Sequence, residues 1–323
     1  PTPQHSSAAS DVYKRQEYYR LAEGVYAAIA IAESGAFGNC AIVDSGDHTI
    51  VFDTSESPAS ALELKDKAES LTDRPVSFVI ISHAHPDHVF GTQVFDKSVP
   101  VISTLISRQE IFDLVEYVKE NKRVISEWEE YLSKRREELL DATDEKMREH
   151  LGKSVARIER SIKDIPQLEL RIPTVTFKSQ LVIHGSQRDV VLTTNGAGHT
   201  ASDSYVLLPD EKILLAGDLA FFQRQPYMGD CTPAAWVVQI EKLLELDPDV
   251  IVPGHGEIGG KADLLLEKEY LQYIELFVKN GIESGLSIET IMEQPLPAPF
   301  YDWSVDGRPS EPNVRFIFDR QAK

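Results

Sequence analysis

The sequence predicts a layered α/β domain that carries a helical insertion. Three observations predict it. Short runs rich in Val, Ile and Ala, separated by turn residues, open the chain. A continuous apolar run, VSFVIISH, follows a helix-like segment. A long stretch dense in Glu, Lys, Arg and Leu then interrupts strands that resume beyond it.

Residues 1–16 show no periodicity and are rich in Ser and Ala. The run SSAASDVYKRQ resembles adapter-derived peptide. A disordered or non-native tail without function is expected there. From about Leu21, strands are expected in AEGVYAAIAIAES, NCAIVDSG and HTIVFDT, with turn signals such as Ser45-Gly46-Asp47 between them. Residues 57–72 read as a capped helix. VSFVIISH fits a strand buried on both faces. An order of three strands, a helix and a strand suggests layered α/β architecture.

Residues 104–165 contain no Pro and a single Gly, Gly152. Apolar residues recur there at helical spacing: Ile111, Leu114, Val115 and Val118, then Met147, Leu151, Val155, Ile158, Ile162 and Ile165. Two or three amphipathic helices are expected. Strands are expected again in LELRIP, VTFKSQLVIHG, DVVLTTNG, SYVLLP and KILLAGD, and helices over roughly 233–246, 261–281 and 287–293. A Pro-rich loop and a short helix end the chain. The expected organisation is a domain over 17–300, interrupted at 104–165, with a tail over 301–323 packed on it.

Composition excludes several functions. The 33 Lys+Arg against 52 Asp+Glu give a formal charge of −19. Sequence-independent nucleic-acid binding relies on basic residues to displace counterions, so no nucleic-acid partner is expected. An anionic membrane surface is an equally poor partner, and no apolar run is long enough to span a bilayer. The two cysteines, Cys40 and Cys231, make neither a disulfide framework nor a Cys-x-x-Cys site. With no signal-peptide pattern at the start, a cytoplasmic location is expected.

The sharpest chemical feature is His83-Ala84-His85-Pro86-Asp87-His88, directly after the buried strand. Three imidazoles and a carboxylate fall within six residues. A loop at the C-terminal end of a strand can aim all four at one spot. Imidazole and carboxylate suit zinc or a similar borderline metal. Three further residues follow strand-like runs and sit beside glycines: His199 after Gly198, Asp218 after Gly217, and His255 between Gly254 and Gly256. Glycine beside a ligand lets the backbone approach closely or turn tightly.

The order His-x-His-x-Asp-His, Gly-His, Gly-Asp, Pro-Gly-His-Gly resembles the metallo-β-lactamase fold superfamily, over roughly residues 21–260 apart from the insertion. The resemblance implies a four-layer αβ/βα sandwich of two mixed β-sheets with a metal site at one edge. It implies that His83, His85 and His199 hold one metal, that Asp87, His88 and His255 hold a second, and that Asp218 bridges them. Asp87 and Asp218 are thereby the catalytic candidates. The cofactor implied is a pair of zinc ions, with iron or manganese as alternatives. Two metal ions against two ligand carboxylates leave net positive charge to stabilise a bridging hydroxide and an oxyanion. Asp53 matches the family's strand-end Asp-Thr and is expected to orient the site from behind the ligands; a turn-capping carboxylate is the other reading.

Departures narrow the substrate. β-Lactamases of the commonest subclass place Cys where Asp218 stands and a substrate-binding Lys three residues later, where this chain has Phe221. An Asp there looks more like the glyoxalase II, lactonase, alkylsulfatase and RNA-processing branches. The insertion holds 15 acidic and 13 basic residues, too neutral for an RNA-gripping arm. His85 argues against the diiron flavoprotein branch, which has Glu there. The expected activity is hydrolysis of a small ester, lactone or thioester. A mononuclear iron dioxygenase on the same fold and a β-lactamase-type amide hydrolase are the competing readings. Arg224 is a candidate to grip an anionic substrate group, and Tyr227 to donate to a developing oxyanion. The insertion is expected to form a lid over the metal edge, a homodimer contact, or both. Phe300, Tyr301 and Trp303 supply either an apolar wall or an anchor for the tail.

Overall fold

Strands β1 (Gln16–Ala22) and β2 (Val25–Ala30) form an antiparallel hairpin that turns at Glu23-Gly24. The computed structural model describes residues 14–31 and 34–321. Most of the expected tail, residues 1–13, lies outside them. The first strand starts at Gln16, earlier than expected, and the Gln16 side chain is buried.

Strands β3 (Cys40–Asp44) and β4 (Thr49–Phe52) extend the hairpin antiparallel. Helix α1 (Pro58–Thr72) follows. Ser57 caps it by accepting from the Ser60 N–H, and Pro58 stands in the first turn, where no intrahelical donor is needed. The chain then adds parallel strands β5 (Val76–Ile80), β6 (Val101–Thr104) and β7 (Val175–Phe177). The short helix α2 (Pro86–Val89) lies between β5 and β6. These seven strands form one mixed sheet in chain order.

The second sheet has five strands in the order β12-β11-β10-β9-β8. They are β8 (Gln180–Ile183), β9 (Val190–Gly196), β10 (Asp203–Leu208), β11 (Ile213–Phe221) and β12 (Val250–His255). Helix α6 (Pro233–Glu245) connects β11 to β12, and the two strands run parallel. Helices α7 (Lys261–Glu283), α8 (Ile288–Met292) and α9 (Glu311–Gln321) complete the chain.

Alternate side chains of one strand serve different cores, which is why the strand runs read as continuously apolar. Val25, Ala27 and Ile29 face the layer between the sheets, with Ile50, Phe52, Ile80, Leu192, Val206 and Leu215. Ala28, Ile42, Val51 and Val79 face outward, onto Leu64 and Ala68 of α1. On the far side, Leu214 and Ala216 face Trp236 and Ile240 of α6 and Leu271 and Ile274 of α7. The layers are therefore helix, sheet, sheet, helix, as expected.

The insertion is three helices: α3 (Leu105–Lys119), α4 (Asn121–Asp141) and α5 (Glu145–Asp164). It connects the parallel neighbours β6 and β7. Ile111 of α3 packs in the outer core of the first sheet, and α4 and α5 pack on each other.

Three strand expectations are corrected. Val101–Thr104 is a strand that sequence reading missed, because its four residues abut a helical pattern. LELRIP is not a strand. Its Glu169 and Arg171 N–H groups donate to the side chains of Gln93 and Thr92, and the Arg171 guanidinium donates to the carbonyls of Asp96 and Val99. With those donors taken, no ladder forms. VTFKSQLVIHG is two strands in different sheets, broken at Lys178-Ser179. At the C-terminus, Phe300, Val314 and Ile317 are buried in the core beneath the second sheet, and Phe300 packs on Tyr270 and Trp303. Phe300 thus anchors this segment beside the terminal helix, while Tyr301 is exposed.

Candidate metal centre

The site lies where β5 and β12 end, beside Asp218 within β11. The first ligand cluster leaves β5 and enters α2 at once. Pro86 opens that helix, so Asp87 and His88 fall in its first turn while His83 and His85 lie in the approach. The Thr54 N–H and hydroxyl both donate to the His88 carbonyl, fixing this turn against β4.

Two glycines place the candidate ligands from the second sheet. Gly217 has a left-handed backbone, φ 54°, and sits at a register shift in β11. A side chain is strained at that angle, and a Cβ would also stand 2.8 Å from the Cβ of Ser82. The kink turns Asp218 toward the first cluster. At Gly254 a Cβ would lie 1.9 Å from Asp218 Oδ1. Only glycine lets β12 bring His255 this close.

The seven candidate ligands meet in two groups: His83, His85, His199 and Asp218, and Asp87, His88 and His255. Within each group one donor atom per residue lies within 4.8 Å of the others. Asp218 connects the groups. Its Oδ2 lies 3.7 Å from His83 Nε2, 3.3 Å from His199 Nε2 and 3.3 Å from His255 Nε2. Its Oδ1 lies 3.0 Å from His88 Nε2. Asp87 Oδ2 is 3.1 Å from His255 Nε2.

The residues fit a metal. His83 Nε2, His88 Nε2, Asp87 Oδ2 and Asp218 Oδ1 are buried and make no hydrogen bond within the described residues despite this crowding. Buried imidazole and carboxylate atoms gathered this closely without hydrogen bonds are what a cation would satisfy. The outer nitrogens explain the orientation. His88 Nδ1 donates to Asp53 Oδ2 at 2.8 Å. His83 Nδ1 donates to Ser82 Oγ at 2.9 Å, and Ser82 Oγ donates onward to Asp53 Oδ2 at 2.8 Å. His85 Nε2 donates to Asp230 Oδ2 at 3.1 Å. Each bond leaves the other ring nitrogen unprotonated toward the site; that of His85, Nδ1, lies 3.0 Å from His199 Nε2. His199 and His255 have no such bond on Nδ1 among the described residues. They are held by rings instead. His199 packs on Trp236 and Phe221; His255 stacks on Phe221 at 4.9 Å and packs on Phe37 at 4.8 Å.

Carboxylates and imidazoles shift one another: against the effect of burial, Asp218 and Asp87 raise His88 and His255. Burial alone would raise the Asp87 and Asp218 carboxyls. The facing imidazoles overcome it, and both are held well below the usual carboxylate range. Burial, reinforced by the charge of His88, pushes His83 well below the usual imidazole range.

Asp53 is fully buried at φ 59° and touches His88 directly and His83 through Ser82. It also accepts from the Ser82 N–H. Arg224 and Tyr227 stand on the wall of a cleft of about 1320 Å³ that opens onto the ligands. The Tyr227 ring is 6.0 Å from that of His85. The insertion supplies part of the same wall through Arg135, Met147, His150, Leu151 and Arg157, and the C-terminal segment supplies Trp303. Sequence reading missed Ser82, Asp230, Asn39 and Phe37. Asn39 donates to the carbonyls of Pro253 and Gly256, pinning the His255 loop from more than two hundred residues away. Of these four, only Ser82 gave a signal, by preceding His83.

The chain belongs to the metallo-beta-lactamase superfamily: the family model matches residues 34–255. A linear primary-alkylsulfatase from Pseudomonas sp. is 21% identical over 267 residues, which are 78% of this chain and 49% of that protein. The chain thus spans about half the length of this curated relative. Among solved structures, a metallo-beta-lactamase from Pontibacter korlensis matches with TM-score 0.56 and 19% identity, over 80% of this chain and 99% of that one. The DIM-1 metallo-beta-lactamase matches with TM-score 0.56 and 16% identity, over 80% and 98%. These two likenesses establish the fold. Superfamily members bind metal, and the two His/Asp groups here could hold it.

Proposed function

We propose that the chain is a dinuclear zinc hydrolase acting on a small ester, lactone or thioester. The carrying observation is the pair of adjoining ligand groups that share Asp218, with buried donor atoms left without hydrogen bonds. Two bound zinc ions would supply a nucleophile from water near neutral pH and a Lewis acid for the substrate oxygen. His83, His85 and His199 would hold one, Asp87, His88 and His255 the other, and Asp218 both. Asp53, Ser82 and Asp230 keep the ligating imidazoles in the required tautomers. Arg224, on the cleft wall, would orient an anionic group of the substrate, and Tyr227 would donate to oxygen at the reacting centre. The helices of the insertion, which line the cleft, would limit which substrates reach the ligands.

A second reading is a sulfate ester as substrate. It is favoured by the similarity to the linear primary-alkylsulfatase.

The test is a hydrolysis screen on zinc-loaded protein across a lactone, a thioester, a carboxylic ester, a β-lactam, a phosphodiester and an alkyl sulfate. Metal content is measured on the same sample. Asp218→Ala serves as the blank and is expected to lose turnover and metal while keeping its far-UV spectrum. Turnover of the lactone, thioester or carboxylic ester, absent from the blank, is expected. Turnover of the alkyl sulfate alone favours the second reading. One iron per chain with no hydrolysis would instead support a mononuclear oxidoreductase, and unchanged turnover in Asp218→Ala would remove the bridging role.

A further inference from the structure

The five candidate histidine ligands are held in two different ways. His83, His85 and His88 are each fixed by a hydrogen bond on the outer nitrogen. His255 is held by two rings: Phe221 stacks on it with planes 22° apart, and Phe37 packs on it tilted by 56°. Phe37 in turn is covered by the insertion. The Arg157 guanidinium of α5 lies over the Phe37 ring with its carbon 3.4 Å from the centroid. It is fixed there by Glu56, whose Oε1 accepts from Nε at 2.7 Å and stands 2.7 Å from Nη2. Glu56 is buried three residues after Asp53. A chain of contacts therefore runs from α5 to a candidate metal ligand: Glu56, Arg157, Phe37, His255.

The stack has the right chemistry to be specific. A planar guanidinium over an aromatic face is favoured by the ring's quadrupole, more so when partly desolvated. Glu56 bonds Arg157 edge-on, leaving the flat face for Phe37. The loop holding Phe37 has little freedom to choose another position. At Gly38 a Cβ would come within 2.7 Å of the Asp87 carbonyl oxygen and 2.8 Å of His88 Cε1. At Asn39 the N–H donates to the Gly254 carbonyl at 2.8 Å. Phe37 is thus wedged between the second ligand group and the insertion.

We infer that Arg157 is a positioning residue for the second metal: through Phe37 it sets the plane of His255, so the insertion completes the Asp87, His88 and His255 group. The inference rests on the two-group metal reading. It gives the insertion a part in assembling the centre as well as in bounding the cleft.

The experiment titrates metal-free protein with Zn²⁺ and Co²⁺ against a chromophoric chelator, in wild type, Arg157→Ala, Arg157→Lys and Phe37→Leu. Thermal midpoints of the metal-free forms are recorded alongside. Arg157→Ala and Phe37→Leu are each expected to weaken one of the two metal equivalents about ten-fold, the lower range for losing a contact behind a ligand, and to leave the other unchanged. The Co²⁺ visible spectrum of the weakened site should change. Arg157→Lys, which keeps the cation over the ring and its pairing with Glu56, should recover part of the affinity. Should Arg157→Ala not fold, Phe37→Leu and Arg157→Lys carry the comparison. A lower thermal midpoint with both constants unchanged, or both weakened equally, would overturn the inference by reducing Arg157 to packing. Fewer than two equivalents in the wild type would overturn the two-group reading beneath it.

Discussion

Asp53 and His88 are joined by a 2.8 Å hydrogen bond in which both side chains are fully buried and the Asp53 backbone is left-handed. Asp tolerates that conformation better than most residues, because its short side chain can bond locally. The same Oδ2 also receives the Ser82 hydroxyl, and Ser82 receives His83 Nδ1. One carboxylate thereby governs an imidazole in each candidate ligand group.

Asp53→Ala should consequently weaken both metal equivalents, unlike the variants of the insertion. A loss of about 10- to 100-fold in affinity is expected from removing such a contact. Chelator competition on the purified variant measures it. Asp53→Asn keeps the shape and the left-handed tolerance, but one of its two side-chain positions becomes a donor facing other donors. It should fall between wild type and Asp53→Ala.

Gly254→Ala tests the close approach of β12 to Asp218. The added methyl would stand 1.9 Å from Asp218 Oδ1, and its other near contacts are backbone atoms of Gly217 and Asp218 at 2.7 and 2.8 Å. Backbone cannot yield cheaply, so a destabilisation of roughly 1–3 kcal/mol or more is expected from overpacking. Denaturant unfolding of metal-free protein should register it, and metal uptake should fall in parallel as Asp218 is displaced.

Glu267 predicts an alkaline effect on stability. It is fully buried on α7, accepts the Phe221 N–H at 2.9 Å through Oε2, and has no partner for Oε1 among the described residues. Burial pushes its carboxyl well above the usual carboxylate range; the Phe221 hydrogen bond only partly opposes this. The folded form therefore keeps a proton that the unfolded chain releases near its ordinary pKa. Its contribution is fully present below that ordinary value and is lost as pH rises toward the elevated one. Glu267→Gln retains the acceptor and cannot ionise. The difference in thermal midpoint between variant and wild type should grow in the variant's favour as pH rises above the carboxylate range. A difference independent of pH would mean the carboxyl ionises normally.

Much of this was legible in the sequence, and for a physical reason. His83 to His88 sit on one loop, and His199, Asp218 and His255 sit beside glycines that the geometry requires. Local chemistry and local backbone needs coincide there. The helices of the insertion were readable from apolar spacing that their buried faces obey at Ile111, Leu151 and Ile158. What escaped was set by tertiary contact. Asp230 is an unremarkable loop carboxylate until folding puts it beside His85. Asn39 and Phe37 act on a loop more than two hundred residues away. LELRIP has strand-forming residues, but side chains of the Thr92–Gln93 turn take its backbone donors. Val101–Thr104 is a strand only because β5 and β7 flank it.

The chain passes from the first sheet to the second between β7 and β8, at Lys178-Ser179, and each sheet is built from one unbroken half of the sequence. Each ligand group nevertheless draws on both halves: His83 and His85 with His199 and Asp218, Asp87 and His88 with His255. Neither half can assemble a full set of ligands by itself. On the proposed reading, metal capture would be a checkpoint on docking, passed only when the two halves have closed on each other in correct register, and loading during refolding should report that late event rather than the formation of either sheet.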